Sequence, residues 1–243
     1  SATQTNKRVT LELGGQTPAI LCEDADLDVA VPGLLGQAFN NAGQFCYRVN
    51  RIYVHRKIYP LFAERFARGA GQIVVSDGLD PDCQIGPLAN RDGLLKSEEH
   101  VRDALSRGAR LLTGGKRLTG PSFDRGNFFP PTVLGDTDHS MKIMTEETFG
   151  PVVGIMPFDH LDQAVDLAND TPYGLAAYIF SKDLATAWKT AERCEAGSVW
   201  VNQVHRSYNH VPFGGHKESG LGYEKSHFGL EQYFELKTIY LAL

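Results

Sequence analysis

The stretch 152–202, VVGIMPFDHLDQAVDLANDTPYGLAAYIFSKDLATAWKTAERCEAGSVWVN, decides the architecture. Segments 152–156, 175–180 and 198–202 are short apolar runs rich in Val, Ile, Tyr and Phe, the composition of buried strands. Between them, 161–168 and 184–194 repeat apolar residues three and four apart, which gives a helix one buried face. Strand, helix, strand, helix, strand in immediate succession predicts parallel strands joined by crossover helices, an α/β fold. The rhythm extends towards the N-terminus. Segments 9–13 and 19–22 read as strands, and the acidic turn Glu23-Asp24-Ala25-Asp26 suits the positive end of a helix over 27–40. Strand 51–54 follows, then a helix whose Ile58, Phe62 and Phe66 recur four apart. Leu94, Val101, Ala104 and Leu105 mark another helix, closed by Gly108 and followed by a strand over 109–112 that ends at Gly114-Gly115. Segment 121–131 reads as an irregular connection, and 211–222, with four glycines, as a loop. The last segment, 234–243, reads as an apolar strand; it needs a partner, which predicts pairing within a homo-oligomer.

Composition narrows the function. The 243 residues carry 24 basic and 29 acidic side chains, a net charge of -5, which has the wrong sign for neutralising phosphates on a nucleic acid. No apolar run reaches the roughly 18 to 20 residues that cross a bilayer, so neither nucleic acid nor membrane is an expected partner. Cys22, Cys46, Cys83 and Cys194 are too sparse for a disulfide framework, and reduced thiols in a cytoplasm are the simpler expectation. His205, His210 and His216 match no common metal spacing, and no metal is expected. Cys22 ends an apolar strand and Cys194 a helix, positions for small buried hydrophobes. Cys46 differs, because Asn41-Ala42-Gly43-Gln44-Phe45-Cys46 places it beyond a helix, behind a glycine that permits close backbone approach.

Four motifs occur in order: Glu12-Leu13-Gly14-Gly15, the Cys46 segment, Glu146-Glu147-Thr148-Phe149-Gly150-Pro151, and Pro212-Phe213-Gly214-Gly215-His216-Lys217-Glu218-Ser219-Gly220. Together they resemble the aldehyde dehydrogenase superfamily along essentially the whole chain. The resemblance implies a parallel-sheet catalytic domain of that type, laid out as a remnant of the dinucleotide-binding domain (1–22), the catalytic domain (23–228) and an oligomerisation strand (229–243). It makes Cys46 the nucleophile: a thiolate adds to an aldehyde, hydride passes to NAD or NADP, and the thioester is hydrolysed. Glu12 matches the general base, and its presence favours water over coenzyme A as acyl acceptor. Glu224 falls where many members carry a second, proton-relaying glutamate. Glu147 matches the acid that binds the nicotinamide ribose, while Phe149 and Leu13 match neighbours of the nicotinamide. Phe213 matches a substrate-tunnel aromatic.

Gly86-Pro87, segments 127–132 and 168–171, and Leu175-Ala176-Ala177-Tyr178 look closest to the succinate-semialdehyde dehydrogenase branch. Two positions depart from it. Asn40 stands where some members have a carboxylate-holding arginine, and Arg48 where some have a second cysteine. Ser207 matches a carboxylate-contacting serine, and Arg206 or Arg48 is the expected replacement charge. The expected role is the catalytic portion of an NAD(P)-dependent aldehyde dehydrogenase acting on a small aldehyde, with little turnover alone because most of the cofactor domain is missing. A non-catalytic assembly module, with at most residual thiol esterase activity, is the other class left open.

Overall fold

The computed structural model describes residues 6–206 and 208–243. In chain order the elements are β1 (Leu11–Glu12), β2 (Thr17–Leu21), α1 (Leu27–Phe39), β3 (Val49–His55), α2 (Tyr59–Gly71), α3 (Arg91–Ser106), β4 (Arg110–Thr113), β5 (Thr132–Gly135), α4 (Lys142–Thr145), β6 (Val152–Phe158), α5 (Leu161–Asn169), β7 (Tyr173–Gly174), β8 (Ala176–Phe180), α6 (Leu184–Arg193), β9 (Ser198–Val201), β10 (His216–Lys217), β11 (Gly220–Leu221) and α7 (Ser226–Glu231). Seven strands form one sheet in the order β4-β5-β6-β3-β2-β8-β9. All neighbours from β5 to β9 are parallel, as the alternation of strands and helices predicts. Side chains alternate across this sheet. Ala19, Leu21, Ile52 and Val54 pack with Leu34, Phe62 and Phe66 of α1 and α2, whereas Ile20 and Tyr53 join the opposite core with Val101, Val165 and Ala187 of α3, α5 and α6. Both faces of β2 and β3 are therefore dry, which explains their continuous apolar composition.

Helix starts follow the local chemistry. The Asp26 carboxylate accepts from the Asp28 N–H at α1, Asn90 from Gly93 at α3, and Asp183 from Ala185 at α6. Two expectations change. Strand β4 runs antiparallel to β5, because the chain doubles back through Gly114 and Gly115, both in the left-handed region, instead of crossing over through a helix. Segment 234–243 forms no strand, and residues 229–231 belong to the last turn of α7. Among the described residues no strand offers 234–243 a ladder, and its Leu236, Tyr240 and Leu241 stand largely exposed. The predicted loop 211–222 contains β10 and β11, two short pieces that pair with β7 and β1.

Candidate active site

Three of the four motifs lie ahead of parallel strands. Gly14 and Gly15 lead into β2, Cys46 precedes β3, and residues 147–151 lead into β6. The site therefore gathers along the amino ends of the sheet, the edge opposite to the one where open α/β sheets ordinarily hold ligands. Glu12 lies on β1, opposite Gly220 of β11, and the Leu13 N–H donates to the Ser219 carbonyl at 3.0 Å. The fourth motif thus supports the first.

Cys46 is carried by an unusual loop. Asn41, Ala42 and Gly43 take positive φ in succession, at 52°, 54° and 73°. The Asn41 and Gln44 side-chain amides each donate to the other's carbonyl at 3.0 Å, and the Gln44 side-chain oxygen accepts from the Ala89 N–H at 2.8 Å. A side chain at Gly43 would overlap the Gly150 carbonyl oxygen, and one at Gly15 would overlap the carbonyl of Cys46 itself. These contacts pack the Cys46 loop between two other motifs.

The half-buried Cys46 thiol has its pKa pushed up, first by burial and then by the charges of Glu12 and Glu147; the N–H groups of Cys46 and Tyr47 act in the opposite direction. Burial also raises the Glu12 carboxyl, with Glu224 adding to the rise and Lys225 opposing it. Glu12 Oε1 is buried without a hydrogen-bond partner. The two groups are coupled electrostatically, each favoured in its protonated form by burial and by neighbouring negative charge. Glu147 Oε1 accepts from the Gly15 N–H at 2.8 Å. Around it, Leu13 and Phe149 are exposed large apolar side chains, at 48% and 41%.

On the other side of Cys46, Tyr47 stacks on His205 at 4.1 Å and meets Phe213 edge-on at 5.8 Å. Trp200 packs against His205 at 5.0 Å. An open cleft of about 290 Å³ runs past Trp200, His205, Arg206, Tyr208, Phe213 and Lys225, with no carboxylate among the described residues that line it. Phe213 and Glu224 exchange backbone hydrogen bonds at 3.0 and 2.6 Å, which places Glu224 at the exposed rim near Glu12. Ser207 lies outside the described residues. The expectation that Arg48 might face substrate is corrected. Arg48 is fully buried, donates to the carbonyls of Ala38 at 3.4 Å and Val152 at 2.6 Å, and has its pKa driven down to about 9 by burial. It fastens the Cys46 loop to β6. Cys22 and Cys194 are buried, their thiols pushed up to about 11 by desolvation.

Sequence reading missed Tyr47, Trp200, His205 and Lys225, whose only signal is a density of aromatic and basic residues near the second and fourth motifs. It also missed His100 of α3. Fully buried beneath the Glu147 loop, His100 places Nδ1 2.9 Å from Thr148 Oγ1 and Nε2 3.5 Å from a Glu146 carboxylate oxygen. Desolvation drives its pKa from 6.5 down to about 4, against the opposing pull of Glu146. A depressed folded pKa contributes stability that is complete above the unfolded value of 6.5 and is lost as pH falls towards 4. Acid titration is expected to remove about 2–3 kcal/mol over that window. His100→Gln should flatten the curve there, as measured by urea unfolding at each pH; the same acid slope in both proteins would contradict the assignment.

The largely parallel α/β sheet gathers the Cys46 loop and the half-buried Glu12 along its amino ends. The chain matches the aldehyde dehydrogenase family over residues 1–239, and it belongs to that family. It is 47% identical to a protein named as a probable NADP(+) succinate-semialdehyde dehydrogenase of Sinorhizobium fredii, over 96% of this chain and 47% of that protein. It is 43% identical to a 3-sulfolactaldehyde dehydrogenase of Pseudomonas putida, over 98% of this chain and 48% of the relative. Among solved structures, betaine aldehyde dehydrogenase of Staphylococcus aureus in complex with NAD+ matches with a TM-score of 0.90 at 38% identity, covering 96% of this chain and 46% of that one. The chain spans about half the length of the curated relatives it matches.

Proposed function

We propose that the chain supplies the catalytic and substrate-binding part of an NAD(P)-dependent aldehyde dehydrogenase that oxidises a short aldehyde ending in an acid group. The observation that carries this reading is the buried Glu12 Oε1 without a hydrogen-bond partner, on a carboxylate near enough for its charge to act on the Cys46 thiol. Cys46 Sγ attacks the aldehyde carbon as Glu12 takes the thiol proton, and the new oxyanion lies against the Cys46 N–H. When bound, the nicotinamide supplies the hydride acceptor that converts this adduct to a thioester. Glu12 then draws a proton from water as the water attacks the thioester carbon, and collapse of that adduct expels the thiolate and frees the acid.

The residues fit the nicotinamide-ribose half of the cofactor. Glu147 keeps one oxygen on Gly15, leaving Oε2 for a ribose hydroxyl, and exposed Leu13 and Phe149 offer apolar surface to a ring. The cleft supports the acid-bearing substrate: Arg206 is its planar cation, Phe213 and Trp200 cover an aliphatic stem, and Glu224 stands at the rim as a proton exit. Ser207 is retained as a second hydrogen-bonding group on the sequence resemblance. The domain layout and the pairing of 234–243 between subunits belong to the same proposal.

Hydrolysis of 4-nitrophenyl acetate tests the nucleophile without cofactor. A burst of nitrophenolate followed by slow turnover is expected, both abolished in Cys46→Ala and by prior alkylation. Equal hydrolysis by Cys46→Ala would overturn the proposal and favour an assembly module.

A further inference from the structure

Lys225 stands out on backbone geometry. Its φ of 62° and ψ of 174° lie in a region that glycine alone enters freely, and Ser226 follows at φ 55°. The segment is pinned in this shape. The Glu224 N–H and carbonyl are held by Phe213, the Ser226 N–H donates to Asn209 at 2.8 Å, and the Lys225 carbonyl accepts from Gly229 at 2.9 Å. Packing of α7 against this turn leaves the backbone little freedom, since a side chain at Gly229 would press on Glu224. A lysine is thus kept where glycine would sit without strain, which points to a use for its ammonium.

The ammonium has a defined place. Nζ lies 5.3 Å from the Phe213 ring centroid, on the wall of the cleft that also holds Arg206. Phe213 touches Tyr47, the residue after the nucleophile, and the Lys225 charge reaches both Glu12 and His205. Two cations and one partly desolvated imidazole, with no carboxylate among the described lining residues, make a positive recess floored by aromatic rings.

We propose that Lys225 is a specificity-determining residue that, together with Arg206, reads the acid group of the substrate. This rests on the acid-bearing aldehyde assigned above and adds a second cation to it. Arg206 offers a planar fork and Lys225 a mobile point charge, a pair that accepts a carboxylate or a sulfonate carried a few atoms from the reacting carbon.

Thiosulfonate reagents test this on the chain itself. The Cys46 thiolate attacks the reagent's divalent sulfur, the S–SO2 bond breaks, and a mixed disulfide forms as methanesulfinate leaves, so nothing else is needed. Rates with 2-sulfonatoethyl methanethiosulfonate and its neutral 2-hydroxyethyl counterpart are compared by mass spectrometry of the Cys46 peptide. Lys225→Gly, which relieves the backbone, and Lys225→Met, which keeps a stem over Phe213, are each expected to lower the anionic-to-neutral rate ratio roughly three- to tenfold at low salt. Lys225→Arg should retain it, and about 0.5 M salt should shrink the difference. A ratio that falls in Arg206→Met but not in either uncharged Lys225 variant would overturn the role of Lys225 alone. A ratio unchanged in all the variants would overturn the acid-bearing substrate as well.

Discussion

Glu12→Gln is expected to accelerate one reaction of Cys46 and nearly stop another. Glu12 contributes to the raised pKa of the thiol, so removing its charge shifts the thiol titration to lower pH. Alkylation by iodoacetamide at neutral pH should therefore become faster. Release of the acyl group needs a proton acceptor for water, and loss of a positioned base costs about 10²–10³ in rate. With 4-nitrophenyl acetate the burst should survive while steady-state turnover falls by about that factor. In the unmodified chain, burial and Glu224 raise the Glu12 carboxyl, so turnover should fail on the acid side at a pH above the ordinary carboxylate range. A variant with unchanged steady-state turnover would remove Glu12 from the base role; slower alkylation would contradict the charge coupling.

Gly43→Ala is expected to be a severely damaging single-methyl change. The residue sits at φ 73°, which an alanine adopts at a cost of about 1–2 kcal/mol. The added carbon would also overlap the Gly150 carbonyl oxygen and lie 3.0 Å from Arg48 Nε. Neither neighbour can retreat, because Gly150 is backed by the Ser97 hydroxyl and Arg48 is locked to Ala38 and Val152. A total loss of roughly 3–5 kcal/mol follows, with the burst abolished as Cys46 is displaced. Gly78→Ala is the matched control: φ there is ordinary, and nothing lies within 4 Å of the added carbon. Differential scanning calorimetry and the ester burst read both effects, and a Gly43→Ala protein matching Gly78→Ala in both would refute the packing argument.

The sheet was legible in sequence wherever burial imposed a period. Strands β6, β8 and β9 and helices α5 and α6 fall within two residues of the predicted limits, because each buries a face that its apolar spacing reveals. Strand β5, only four residues long and directly behind Pro130-Pro131, was hidden by the irregular stretch before it. The direction of β4 depends on the left-handed turn at Gly114, which apolar spacing cannot encode. At the site, Cys46, Glu12, Glu147 and Phe213 were legible through motifs. The aromatic wall was not, since Tyr47, Trp200 and His205 come from three separate segments that only the folded chain stacks. Arg48 was misread for a related reason. An arginine near a nucleophile suggests an anion holder, but its buried guanidinium serves backbone carbonyls.

The pairing of β1 with β11 has a consequence for the order in which the molecule matures. Leu11 and Glu12 meet Leu221 and Gly220 across nearly the whole chain, and Arg8 and Thr10 reach further, to Phe234 and Gln232. Loop-closure entropy makes such distant pairings late events, whereas Cys46 is fixed by the nearby crossover from α1 to β3. On a ribosome, the Cys46 thiol would be framed long before Glu12 is anchored. A nascent chain would therefore hold Cys46 without Glu12 in place until the segment carrying Gly220 and Leu221 emerges and the clasp closes.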